Sequence, residues 1–142
     1  MATTEEQVSW NLSARISDQI NNLLCSGRRC CIMGNELQAF FYFKEIRMLI
    51  NHHLKKEEVK QVNDLEKKIN YVTIKLKRIK VIEEDEFEFD DNAQREKNIK
   101  IKIILLKNRR ILLVEKYRKI VLKLLDDYGY LMERKQDSSH ME

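Results

Sequence analysis

Five side chains that could bind a metal ion or act as nucleophiles lie within a stretch of 29 residues. They are three cysteines and two histidines: Cys25, Cys30, Cys31, His52 and His53. Structural zinc sites usually combine a C-x2–4-C pair with an H-x3–5-H pair, so that each pair binds the metal from one turn. Here a C-x4-C-C pattern is followed by adjacent histidines, which on a helix would point about 100° apart. The histidine spacing disfavours a zinc site, and we expect neither a metal nor a cofactor.

A catalytic cysteine is the second chemical possibility in this stretch. Arg28 and Arg29 are cations of the kind that favour a reactive thiolate, and Cys31 with His52 could form a nucleophile–base pair. No thiol-enzyme motif surrounds these residues, and the chain contains neither a glycine-rich phosphate loop nor a serine-centred nucleophile motif. We therefore predict that the protein is not an enzyme and has no small-molecule substrate.

A second unusual feature is the stretch VIEEDEFEFDD at residues 81–91, which contains seven carboxylates and no basic residue. The flanking segments are basic, with net charges of +6 over residues 44–81 and +9 over residues 93–123. Part of the acid suits the N-terminus of a following helix, and like charges keep a loop solvated. A calcium loop is disfavoured because no glycine lies between Gly34 and Gly129 to make its sharp turn.

The two phenylalanines inside the acidic stretch indicate an alternative use for it. A purely solvated loop does not need them, whereas aromatic anchors surrounded by charge are typical of a docking surface. The basic segments of a second copy would be a suitable partner, giving head-to-tail assembly. We predict docking through Glu84, Glu86, Phe87, Glu88 and Phe89.

Composition indicates that helices carry these features. The 142 residues include no proline and three glycines, and these two residues form most tight turns. The spacing of Thr3 and Glu6 predicts a capping box for a first helix, and Gly27 is placed to end it. Residues 25–34 would then be a connector.

A second helix should begin after Asn35 and is apolar on nearly every side, which is typical of a helix enclosed by other helices or by another subunit. We expect it to break near residues 51–53. The predicted core or oligomer interface consists of Trp10, Phe40, Phe41 and Phe43.

Two long helices with apolar seams follow. The first seam has steps of three and four residues, as in a coiled coil: Val62, Leu65, Ile69, Val72, Leu76 and Ile79. The second contains Ile99, Ile103, Leu106, Leu113, Tyr117, Ile120, Leu124, Tyr128 and Leu131, with Arg110 at one position and a helix end near residues 127–129. Their short connection predicts an antiparallel hairpin.

The predicted fold class is therefore all-α, with an N-terminal helical pair and a long antiparallel coiled-coil hairpin. Alternating residues leave a rival, an α+β fold with a short meander within 71–106. The predicted domains are the N-terminal helices at 1–54, a basic hairpin at 55–133 with its acidic tip at 83–91, and a polar tail at 134–142.

These features predict a structural or assembly protein that forms homo-oligomers or joins a larger complex. A small virion or phage assembly component would fit the size and charge segregation. No signal peptide or membrane span is evident, so we expect a cytoplasmic or intracellular protein, or one in a virion, without membrane contact. The alternative is sequence-independent nucleic-acid binding by the basic arms. Its predicted contacts are Lys75, Lys77, Arg78, Lys80, Lys100, Lys102, Arg109 and Arg110.

Overall fold

The computed structural model describes residues 4–86 and 93–130, with side chains over 15–79 and 94–130. It contains four helices, α1 (Thr4–Ile32), α2 (Glu36–Leu49), α3 (Lys56–Glu86) and α4 (Ala93–Asp127), and a short 3-10 helix (Asn51–His53). No strand occurs among the described residues, and those within 71–106 are all helical. The all-α prediction is confirmed, and the rival meander is wrong for the described part of that range.

The first helix is longer than the sequence predicted. It continues through Gly27 to Ile32, so the predicted helix end at Gly27 and the predicted connector at 25–34 are both wrong. Gly27 is buried, and a Cβ atom placed on it would lie 2.9 Å from Cε1 and Cζ of the Phe43 ring. The glycine therefore serves close packing between α1 and α2 and does not end the helix.

A glycine does end α1, seven residues later. Gly34 has φ +77°, the left-handed conformation that glycine adopts without steric strain. The N–H of Gly34 donates to the carbonyl of Cys31 at 3.2 Å, and the N–H of Asn35 donates to that of Cys30 at 2.8 Å. These two hydrogen bonds form a Schellman motif, which satisfies the last carbonyl groups of the helix.

The same motif closes α4. Gly129 has φ +84° and donates to the carbonyl of Asp126 at 3.1 Å. Tyr130 donates from its backbone N–H to the carbonyl of Leu125 at 2.9 Å. The predicted helix end near residues 127–129 is confirmed, because α4 ends at Asp127.

The start and end of α2 also agree with the sequence. Asn35 is the N-cap residue, although its side chain makes no capping hydrogen bond. The helix ends at Leu49, and the predicted break at 51–53 is the 3-10 helix Asn51–His53. His53 donates from its N–H to the carbonyl of Ile50 at 3.0 Å, which holds this turn.

The chain divides into two compact units, Met1–Lys56 with Arg118–Glu142, and Glu57–Tyr117. In the first unit, the buried side chains of α1 and α2 are Ile20, Leu24, Ala39, Phe40, Phe43 and Ile46, and Ile50, which follows α2, is also buried. In the second unit, the buried side chains include Val62, Leu65, Ile69, Val72, Leu76, Val114 and Tyr117. The three-part division proposed from the sequence stays a prediction.

Candidate docking surface

The residues with the most obvious chemistry are not gathered in one place. Cys25 is exposed and Cys30 and Cys31 are half-buried on α1. The histidines lie instead on the 3-10 helix Asn51–His53, where both are exposed. Among the described residues, no group of three or more His, Cys, Asp or Glu side chains is arranged to hold a metal ion.

The histidines contact aromatic side chains within their own unit. The ring of His53 stacks on that of Tyr128, with 5.8 Å between the centroids, and lies 6.2 Å from that of Tyr130. His52 lies beside His53, with centroids 4.0 Å apart. Burial raises the pKa of the Tyr130 phenol above its ordinary value, because the charged phenolate loses solvation. This cluster packs the segment after α4 against the 3-10 helix.

The predicted aromatic interface divides into buried and exposed members. Phe40 and Phe43 are fully buried in the first unit, whereas Phe41 is 46% exposed on α2. Met48 lies seven residues after Phe41, on the same face of α2, and is also exposed. Trp10 lies on α1, and its side chain is outside the described residues. One face of α2 therefore remains open among the described side chains.

The predicted seam of α3 is buried. Five of its six members, Val62, Leu65, Ile69, Val72 and Leu76, have almost no exposed surface, and Ile79 is half-buried. The described seam members of α4 are all buried or half-buried. Arg110, the polar member of the α4 seam, donates from Nη1 to Oγ1 of Thr73 on α3 at 3.5 Å. The two helices therefore approach each other at this level of the second unit.

A second apolar face of α4 is exposed, and sequence reasoning missed it. Its five side chains are between 46% and 66% exposed. At 100° per residue, they fall on one face of α4, on the side opposite to its seam. We call this set the outer stripe, and its members are Ile101, Ile104, Leu105, Ile111 and Leu112. The signal in the sequence was a second set of apolar residues with helical spacing in IKIILLKNRRILLV.

Basic side chains border the outer stripe along both of its edges. Helical geometry places two of them on one edge and three on the other, and all five are exposed. Nζ of Lys100, one of these five residues, lies 3.1 Å from Oε1 of Glu96, in an ion pair within α4. We call these five residues the basic borders: Lys100 and Lys107 on one edge, and Lys102, Arg109 and Lys116 on the other. The surface is thus apolar along most of its centre, where exposed Asn108 separates two apolar groups, and positive along both sides.

The predicted nucleic-acid contacts on α3 are in varied surroundings. Lys77 and Arg78 are exposed, whereas Nζ of Lys75 lies 4.9 Å above the centroid of the Tyr71 ring, a cation–π distance. The side chain of Lys80 lies outside the described residues. On α4, three of the four predicted contacts belong to the basic borders and the fourth, Arg110, bonds to Thr73. Two of the predicted contacts, Lys75 and Arg110, are therefore engaged with other side chains of the second unit.

The predicted acidic tip is only partly within the described structure. Glu84 and Glu86 belong to the last turns of α3, with only their backbone described. Phe87, Glu88 and Phe89 lie outside the described residues. We call residues 83–91 the acidic segment, and its first four residues form the end of α3.

Comparison with known proteins does not indicate a role for this surface. No family model matches the chain, and no curated protein or solved structure is significantly similar to it. None of the helices in the described parts of the chain combines the length and apolar character needed to span a membrane. The function must therefore be inferred from the surface itself.

Proposed function

We propose that this chain is a non-enzymatic structural protein that assembles with further copies of itself or docks into a larger complex. The observation that carries the proposal is the outer stripe with its basic borders. Five large apolar side chains in a row make a patch of the kind that marks interaction sites on soluble proteins. The small size of the chain and the segregation of its charges fit a component of a virion or phage particle.

The proposal includes an antiparallel coiled-coil hairpin formed by α3 and α4. Support comes from the buried heptad positions of α3 and from the hydrogen bond between Arg110 and Thr73. In an antiparallel pair, positions facing each other have a constant sum of residue numbers, and the sum of 73 and 110 would put the midpoint of the proposed hairpin between residues 91 and 92. The proposed turn then adjoins the acidic segment, whose first residues belong to α3.

Opposite charge gives such an assembly its direction. The acidic segment carries seven carboxylates, and the basic borders carry five cations on another part of the same chain. A surface that meets a different surface on the next copy makes a head-to-tail contact, which produces rings if it closes and filaments if it does not. Exposed complementary charges also speed encounter and disfavour wrong partners.

The test is light scattering behind a sizing column, on wild type and on a triple variant with Glu84→Lys, Glu86→Lys and Glu88→Lys. We expect wild type to form an oligomer larger than the variant at the same concentration. Glu84 and Glu86 lie in the last turns of α3, where lysine suits the helix dipole, so helix content by circular dichroism should not fall below that of wild type. An unchanged molar mass in the variant would contradict assembly through this segment.

Nucleic-acid binding is the second candidate function, favoured by the exposed bases Lys77, Arg78, Lys102 and Arg109. Contacts with phosphates release counterions, so affinity should fall steeply as salt concentration rises. The apolar outer stripe lies between Lys102 and Lys107 and offers nothing to a phosphate backbone, which favours a protein partner. The same sizing experiment separates the two candidates, since bound nucleic acid raises the ratio of absorbance at 260 nm to that at 280 nm and is shed at high salt.

A further inference from the structure

We infer that the outer stripe of α4 is the surface that receives the acidic segment of a second copy of this chain. The inference rests on the proposed function and adds the receiving surface, its residues and its occupant. The occupant is residues 83–91 of another molecule, with Phe87 and Phe89 on the apolar centre and the carboxylates against the basic borders. Three features of the chain lead to this assignment.

The first feature is that α4 has two apolar faces, and its packing with α3 uses one of them. Arg110 and Tyr117 lie on the seam side, where Arg110 reaches Thr73 of α3. Ile104 and Leu105 lie on the opposite side of the helix, with 57% and 63% of their surface exposed. A helix that is apolar on two sides is normally covered on both.

The second feature is the match between the occupant and the surface. A ligand for the outer stripe must bring apolar side chains for its centre and negative charge for both edges. The acidic segment supplies Phe87 and Phe89, with carboxylates before, between and after them. Its sequence is therefore complementary to the outer stripe and basic borders in polarity and in charge.

The third feature is reach, because the phenylalanines of the same chain can approach Ile101, Ile104 and Leu105 but cannot cover the whole outer stripe. Phe87 lies six residues before Ala93, so an extended chain lets it reach about 21 Å from the start of α4. Leu112 lies nineteen residues after Ala93, about 28 Å along the helix axis. Neither phenylalanine of the same chain reaches the far end of the outer stripe, whereas a second copy is not tethered in this way.

A symmetric contact between two outer stripes is the main alternative, and the charges oppose it. Each stripe has cations on both edges, so two stripes face to face bring Lys102 and Arg109 close to cations of the other copy. Like charges that face each other across an interface disfavour it. The acidic segment removes this repulsion and replaces it with attraction.

The first experiment removes the apolar centre of the surface. The double variant Ile104→Gln with Leu105→Gln should raise the dissociation constant of self-association at least about tenfold, measured by sedimentation over a range of concentrations. The matched control is Tyr71→Gln with Ile74→Gln on α3, where the replaced side chains are 59% and 50% exposed. The control should change the constant by less than about threefold, and both variants should keep the helix content of wild type.

The second experiment exchanges the charges. One chain carries Glu84→Lys, Glu86→Lys and Glu88→Lys, and the other carries Lys102→Glu and Arg109→Glu. Each chain alone then has one nearly uncharged surface, because the net charge of the acidic segment falls from −7 to −1 in the first chain and that of the basic borders falls from +5 to +1 in the second, and both chains should remain monomeric. Mixed in equal amounts, the unchanged acidic segment of the second chain meets the unchanged basic borders of the first, so the mixture should recover oligomers of at least two copies.

The outcomes separate this inference from the broader proposal. If the acidic-segment variant is monomeric while Ile104→Gln with Leu105→Gln assembles like wild type, assembly through the acidic segment stands and the assignment of the outer stripe is overturned. If wild type is monomeric at every concentration, both self-association and the assignment are overturned, and a foreign partner takes their place. Recovery of oligomers in the charge-exchanged mixture, together with the loss in the stripe variant, supports the assignment.

Discussion

The substitution Gly27→Ala tests the packing of α1 against α2 most directly. Non-bonded carbon atoms prefer a separation of about 3.5–4.0 Å. The new Cβ atom would lie 2.9 Å from two carbons of the Phe43 ring, so one of the two groups must move by about 0.6 Å or more. The ring has little room to move, because Phe43 is 1% exposed.

Two opposing effects set the size of the change. In a helix interior, alanine is more favourable than glycine by about 1 kcal/mol. Overpacking of a well-packed core is unfavourable by about 1–3 kcal/mol. We expect the overpacking to be the larger effect and Gly27→Ala to lower the free energy of unfolding by about 1 kcal/mol, with Gly27→Leu lowering it at least twice as much.

The assay is urea unfolding followed by circular dichroism at 222 nm, with Asn22→Ala as the control. Asn22 is exposed on the same helix, so that substitution should raise stability by about 0.5 kcal/mol through helix propensity alone. In a Phe43→Leu background, Gly27→Ala should raise the free energy of unfolding instead of lowering it, because the smaller side chain at position 43 leaves space for the methyl group. The close approach of Gly27 to the Phe43 ring would be refuted by either of two results. One is that Gly27→Ala stabilises the otherwise wild-type protein, and the other is a coupling energy below about 0.3 kcal/mol between positions 27 and 43.

Three further predictions address other parts of the chain. Gly34→Ala should lower stability by about 1–2 kcal/mol in the same urea assay, since φ is +77° and no atom lies within 4 Å of the added Cβ, so backbone strain acts alone. Because burial raises the pKa of Tyr130, the folded chain keeps a phenolic proton that the unfolded chain loses, and thermal stability should fall as pH rises past about 10. Tyr130→Phe should reduce that fall, and an equal fall in both chains would contradict the burial of the phenol. Cysteines at Thr73 and Arg110, with the native cysteines replaced by serine, should be joined within one monomer by a short bismaleimide, while cysteines at Thr73 and Lys97 should not; equal yields would contradict an antiparallel register.

The sequence was sufficient where one element determines its own geometry. The heptad spacing of α3 predicted which side chains are buried, because a helix with such a stripe has only one way to hide it. The predicted end of α4 near residues 127–129 is confirmed, and Gly129 has the left-handed conformation that suits glycine after a helix. The break expected at residues 51–53 is the 3-10 helix Asn51–His53.

The sequence was insufficient where the role of a residue depends on its contacts with another part of the fold. Gly27 has the same local context as a helix-ending glycine, and only the position of the Phe43 ring, sixteen residues away, gives it another role. The outer stripe was missed for a related reason. Helical spacing fits both apolar faces of α4, and knowing which face α3 covers requires contacts such as that of Arg110 with Thr73.

The energetics of the outer stripe explain why its proposed docking depends on charge as well as on apolar contact. Five side chains that are roughly half exposed contribute about 5 kcal/mol when a partner covers them. Association of two molecules costs about 4–15 kcal/mol in lost freedom of motion, so the apolar contact alone leaves a single junction marginal. Exposed ion pairs add about 0.2–1 kcal/mol each, and five basic borders facing seven carboxylates supply several of them. Because each copy has one acidic segment and one outer stripe, every added copy presents both surfaces again, and a closed ring makes one more junction than an open chain of the same number of copies.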